Sequence, residues 1–174
     1  MEVWKSFEQN TVTHSAAHHI MTIANLIDAH GYARVTDVAK SLGISRSSAS
    51  ITLKALKTKG YVDEDENKFL RLSQEGEKLS DSIKFRRLLL GKFFSDILQV
   101  SKEQAEIDAC KMEHLLSIET GEKLLGFMSF FLSDDPKVKA SLNDYWKKKE
   151  ACNHDEEECP VCQGDCLMPD NSND

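Results

Sequence analysis

The chain has 174 residues, 40% of them hydrophobic and 29% charged, enough for one domain or two small ones with a buried core. No stretch approaches the roughly 18 consecutive apolar residues of a membrane span, and the opening MEVWKSFEQN lacks the basic-then-apolar order of a secretion signal. A cytoplasmic protein with no membrane partner is therefore expected. The net charge of −7 looks unfavourable for a polyanionic partner, but it is unevenly spread. Residues 1–150 hold 22 basic and 22 acidic side chains, so the last 24 residues carry the whole excess. Within the neutral body, residues 34–60 set Arg34, Lys40, Arg46, Lys54, Lys57 and Lys59 against Asp37 alone, a local surface suited to phosphate.

In chain order, residues 13–30 read as a helix, because Ala16, Ile20, Ile23, Ala24 and Ile27 recur at helical spacing and Gly31 follows. A short helix opens near Thr36, a suitable N-cap, and turns Val38, Ala39 and Leu42 inward before Gly43. Ser45 caps a third helix, 46–59, with Ala49, Leu53 and Leu56 on one stripe and Gly60 at its end. Tyr61-Val62 and Phe69–Leu72 flank the polar turn DEDENK, the pattern of a two-stranded wing. Ser73 starts a long helix to about Leu98, and further helices are expected at 102–117, 119–132 and, behind Asp134-Asp135-Pro136, at 136–150.

The segment VTDVAKSLGISRSSASITLKALKTKGYV has helix-turn-helix character. Ala39 is small where two helices cross, and Gly43 permits the tight turn. With its apolar stripe inward, helix 46–59 presents Arg46, Ser47, Ser50, Ile51 and Lys54 outward, on a rod that fits a major groove. Arg46 suits bidentate reading of guanine and Ile51 a thymine methyl, while Ser45, Ser47 and Ser48 can hold phosphate or a base edge. Double-stranded DNA is thus the expected partner; a solvated three-helix core is the plainer alternative. The acidic wing tip Asp63–Glu66 opposes phosphate, which leaves Lys68 and Arg71 to approach the backbone.

Helix 102–117 carries Cys110, Glu113 and His114 at i, i+3 and i+4, which places thiolate, carboxylate and imidazole on one face. Helix 13–30 offers His14, His18 and Met21 on one face, with His19 turned aside. Without a metal, Glu113 reads as a surface acid, and Cys110 and His114 as satisfied core residues.

The segments HGYARVTDVAKSLGISRSSASITLKALKTKGYV and DACKMEHLLS resemble the diphtheria toxin repressor and manganese transport regulator family of metal-dependent repressors, over roughly residues 12–150. The resemblance implies primary metal ligands at Cys110, Glu113 and His114, a further ligand at His18, and Met21 where the manganese branch has a glutamate. It also implies a homodimer. Where the family's second metal site has a histidine and a glutamate on the long helix, this chain has Arg87 (or Leu88) and Gly91, leaving Glu106; a fixed charge at Arg87 can replace a cation there. The nitrogen- and sulfur-rich ligand set favours Fe(II), with Mn(II) or Zn(II) as alternatives.

The tail holds Cys152, Cys159, Cys162 and Cys166 within a short acidic stretch, a spacing suited to zinc or an iron–sulfur cluster, or else four free thiols. The expected fold is mainly α: a winged helix-turn-helix DNA-binding domain over 1–73, an all-helical dimerisation and metal-binding domain over 74–150, and an acidic cysteine-rich tail over 151–174. The expected function is metal-dependent repression of metal-homeostasis genes in response to Fe(II) or Mn(II). The alternative within DNA binding is a redox or iron–sulfur sensor signalling through the tail cysteines. A metal-handling enzyme with an accessory winged helix is the other alternative, but the sequence offers no nucleophile–base pair, phosphate loop or carboxylate dyad, so no enzyme is expected.

Overall fold

The structure, a computed structural model, describes residues 12–147. The four tail cysteines and the end of the last expected helix lie outside the described residues. Two compact units divide between Ser129 and Phe130. The first begins with α1 (His14–His30), α2 (Val35–Leu42) and α3 (Arg46–Thr58), followed by the antiparallel pair β1 (Val62–Glu64) and β2 (Leu70–Leu72). It continues through α4 (Gln74–Lys92), a wider π turn at Phe93–Ile97, α5 (Lys102–Met112) and α6 (Ile118–Phe131) as far as Ser129. The second unit contains α7 (Pro136–Lys147), which opens on the expected proline and buries Val138 and Leu142. Among the described residues no helix is long and apolar enough to cross a membrane.

Helices α1 to α3 close around Ala16, Ile20, Ile23, Val38, Ala39, Ala49, Leu53 and Leu56 of the predicted stripes, joined by Ala17. Val62 and Leu70 from the wing and Ile83 from α4 complete this core. The wing is tied to the helices through the Leu70 N–H, which donates to the Ala33 carbonyl at 2.8 Å. Caps set most of the starts. Thr13, Ser45, Ser73 and Ser101 each accept from the backbone N–H three residues on. Gly43 turns left-handed (φ 65°) after α2, allowing the sharp entry to α3 that the helix-turn-helix reading requires.

Three elements depart from the sequence expectation. The second helix begins at Val35, not at a Thr36 cap, because the Asp37 carboxylate accepts the Arg34 N–H at 3.1 Å. The long helix gives way at Phe93 to the π turn and then to Gln99 in a left-handed conformation (φ 59°), so it does not reach Leu98 intact. The helix expected at 102–117 stops at Met112. There Arg86 of α4 donates to the Leu116 carbonyl and to Ser82, fixing the turn that follows. Glu113 therefore caps α5 and His114 lies beyond it.

Candidate metal centre and nucleic-acid interface

The outward face of α3 is built as the pattern predicts. Ala49, Leu53 and Leu56 are buried, whereas Arg46, Ser47, Ser50, Ile51 and Lys54 are exposed. Ile51 is 73% exposed, an apolar side chain that only a partner would cover. Ser45 accepts from the Ser48 N–H and shares hydroxyl hydrogen bonds with Ser47 and Ser48 at 2.9 and 2.8 Å, which fixes the first turn. In the wing, Glu64 pairs with Lys57 and, at 3.8 Å, with Lys68, while Asp65 lies 3.9 Å from Arg71. The acids of the tip are thus partly neutralised by the basic groups around them.

The second cluster joins α1 to α5. One ligand atom each from His14, His18 and Cys110 lies within 4.8 Å of the other two. The closest approach is His18 Nε2 to Cys110 Sγ at 3.2 Å, across 92 residues of chain. The His14 ring stands 4.4 Å from that of His18 and 5.1 Å from that of His114, centroid to centroid. Burial, followed by His14, pushes the His18 imidazole towards its neutral form; burial likewise lowers His114, with His14 and Arg86 adding to it. Burial and the nearby Glu113 push the Cys110 thiol up, against the opposing charge of Arg87. A thiol and imidazoles in mutual reach are donor types suited to a transition-metal cation.

Of the ligands expected from sequence, His18 and Cys110 are brought together, and His114 lies alongside through His14. Glu113 is not in that group. Its carboxylate is completely buried, with Arg87 Nη1 3.8 Å from Oε2, and neither oxygen has a hydrogen-bond partner among the described residues. Burial raises its pKa, opposed by Arg87 and then Arg86. The plainer expectation of a surface acid does not hold. Met21 lines a cleft of about 390 Å³ with Lys84, Arg87, Gly91, Lys102 and Glu106, and none of the three clustered residues borders that cleft. His19 is turned aside as expected: it is buried and its Nδ1 donates to the Ser15 carbonyl at 2.7 Å. His14 shared the favourable face in the sequence but stood outside the candidate ligand set. Its signal is the four-residue spacing to His18, which one helix alone cannot distinguish from two exposed histidines.

These residues fit a divalent transition metal. The donors are imidazole and thiolate, and among the described residues the buried His114 Nδ1 and both Glu113 oxygens lack a hydrogen-bond partner. An ion held there would clamp α1, which packs on α2, α3 and α4, to α5, which also packs on α4.

Comparison with known proteins bears on both halves. The iron dependent repressor N-terminal DNA binding domain matches residues 11–70, and the iron dependent repressor metal binding and dimerisation domain matches residues 73–143. The HTH-type transcriptional regulator MntR of Oceanobacillus iheyensis is 32% identical over 127 residues, spanning 73% of this chain and 86% of that protein. The MntR of Bacillus subtilis is 30% identical over 138 residues, spanning 79% of this chain and 96% of the relative. Among solved structures, the manganese regulator SloR superposes with a TM-score of 0.60 at 20% identity, covering 66% of this chain and 53% of that one. IdeR of T. acidophilum gives a TM-score of 0.55 at 18% identity, covering 65% and 53%. The chain thus spans about half the length of these two solved proteins, and at such identity they bear on the fold alone.

Proposed function

The chain belongs to the iron-dependent repressor family, and on that premise we propose that a divalent ion held between α1 and α5 switches its binding to operator DNA. It is a metal-dependent transcriptional regulator with a DNA-binding and a dimerisation domain. The observation that carries the switching mechanism is the approach of His18 to Cys110, which lets one ion tie the DNA-reading helices to the rest of the chain. Without an ion, α1 meets the end of α5 through His18 and Cys110 and through the rings of His14 and His114. A metal that binds this clamped arrangement better than the open one shifts the population towards it. In a dimer, clamping fixes the separation of two α3 helices to about one turn of DNA, so both half-sites are read together.

In this reading the functional division falls at residues 73/74, and the protein works in the cytoplasm. The dimer seam draws on exposed apolar residues of α4 and α6, among them Phe85, Leu88, Ile118 and Phe127. Fe(II) or Zn(II) suits the nitrogen and sulfur donors better than Mn(II).

Fluorescence anisotropy with an operator obtained by selection from random DNA tests the switch. Metal should tighten binding by roughly 10- to 100-fold, the usual range of such coupling, and His18→Ala and Cys110→Ser should each abolish the gain while truncation after Lys149 keeps it. Equal binding with and without metal would sink the mechanism. On the DNA side, Arg46→Ala should cost about 1–3 kcal/mol and relax base preference at one position. Lys54→Ala should instead weaken all sequences alike and lower the salt slope by about one. An Arg46→Ala protein with unchanged base preference would remove that residue from sequence reading.

A further inference from the structure

We propose that the cavity at the root of the wing is a second ligand site, independent of the metal cluster, which takes a small organic cation on a flat apolar body. About 730 Å³ of space lies where the end of α1, β2 and α4 meet, a size ordinary for a small-molecule site. None of His14, His18, Cys110, Glu113 and His114 borders it. Ala24 and Ile27 of α1, Phe69 and Leu72 form half-buried apolar walls, and the buried Leu70 adds to them. The Tyr32 and Phe69 rings meet edge to face at 5.5 Å, and Tyr32 is 48% exposed, so one wall offers aromatic surface to a flat partner.

Charge selects the occupant. The cavity is lined by Asp28, Glu77 and Asp81 against Arg71 and Lys84. Both cations already face acids: Lys84 Nζ lies 3.9 Å from Asp28, and Arg71 lies 3.9 Å from Asp65. Lys78, the neighbouring cation on α4, is held by Glu75 at 2.9 Å. That leaves Glu77 and Asp81, one helical turn apart and exposed, whose carboxylates have no ion pair or hydrogen bond among the described residues. Ser80 stands three residues from Glu77 on the same face of α4 and borders the same cavity. It is 2% exposed, and its hydroxyl has no hydrogen-bond partner among the described residues. A buried hydroxyl without a partner is rare and marks a place where a polar group is missing. An ammonium or amidinium group here meets the two carboxylates, and one of its N–H groups can donate to the Ser80 oxygen. An anion meets like charge instead. An occupant touches α1, β2 and α4 at once and so braces the wing against the helix that follows it.

Nitrogen-15 NMR of the full-length protein in EDTA tests this without metal, with phenethylamine as the probe and phenylacetate as its anionic counterpart. Phenethylamine should shift the amide signals of residues 69–72 and 77–84 and bind with a dissociation constant on the order of 1 mM, ordinary for so small a molecule. Phenylacetate should bind at least about tenfold more weakly. Glu77→Gln combined with Asp81→Asn, two exposed and nearly isosteric changes, should weaken phenethylamine by roughly tenfold or more. Ser80→Ala should weaken it by about threefold yet melt no lower than the parent, because it removes a buried polar atom that has no partner. Equal binding of phenethylamine and phenylacetate would overturn the proposal. So would full affinity in the doubly substituted protein, shifts confined to other parts of the chain, or no shift at about 20 mM phenethylamine. Each of these results stands whether or not metal switches operator binding, so the two readings fail separately.

Discussion

Between about pH 6.5 and pH 8.5 the affinity of the centre for metal is expected to rise roughly tenfold per pH unit, and Cys110→Ser should flatten that rise. The sign follows from the protonation of each donor. Burial, with Glu113 nearby, pushes the Cys110 thiol above its ordinary range, so the apoprotein carries it protonated throughout this window. A metal binds the thiolate and must expel that proton, one per ion. Burial has lowered His18 and His114, so both are already neutral above about pH 6.5 and contribute no further protons there. As the pH falls below the ordinary histidine value and through their depressed ones, both imidazoles take up protons and the dependence steepens. The same two histidines make the apo fold lose stability on acidification over that lower range, because the unfolded chain protonates first. Competition titrations with a chelator of known pH behaviour measure the slope. A flat line in the parent protein, or an unchanged slope in Cys110→Ser, would show that the thiolate is not a ligand.

The DNA-reading half was largely legible because its determinants are local. Ser45 as a cap, Gly43 as a left-handed turn and the Ala49, Leu53, Leu56 stripe each act within a few residues, and each stands where the pattern places it. The metal half was less so because its determinants arrive from elsewhere in the chain. The end of α5 is set by Arg86, 30 residues before the carbonyl it binds, so spacing alone ran the helix on to residue 117. The break after Lys92 carries no glycine or proline; it depends on i→i+5 bonding and on Gln99 adopting a conformation that its side chain does not advertise. His14 joins the cluster only once the fold delivers Cys110 to α1. Glu113 follows Cys110 at ligand spacing, but spacing does not show its burial beside Arg87 of another helix. Sequence spacing identified which residues could bind metal; which of them meet was a tertiary matter.

Gly76→Ala is expected to destabilise the protein by about 2–4 kcal/mol, roughly 10 °C in melting temperature, although alanine is the better helix former. Gly76 lies in the first turn of α4, where a Cβ would stand 2.0 Å from the Tyr61 carbonyl oxygen and 3.4 Å from Leu72 Cβ. That carbonyl accepts the Ser73 N–H at 3.1 Å, and Ser73 in turn donates its hydroxyl to the Gly60 carbonyl and caps α4 by accepting the Gly76 N–H. Backbone oxygen cannot rotate away as a side-chain tip can. The start of α4 must therefore slide off the wing, straining at least one hydrogen bond worth about 1 kcal/mol as well as the packing. Gly126 in α6 is the matched control: nothing lies within 4 Å of its would-be Cβ, so Gly126→Ala should be neutral or stabilising by up to about 1 kcal/mol. Thermal melts of the two variants side by side separate close approach from helix propensity, and equal melting temperatures would refute the former. The functional reach of Gly76 is wider than its volume. The same helix carries Arg86 to the end of α5 and Arg87 to Glu113, so a displaced α4 disturbs the metal cluster from the far side. A partly folded Gly76→Ala protein should consequently show weaker coupling between metal and operator binding, even with every metal ligand and every DNA-facing residue of α3 intact.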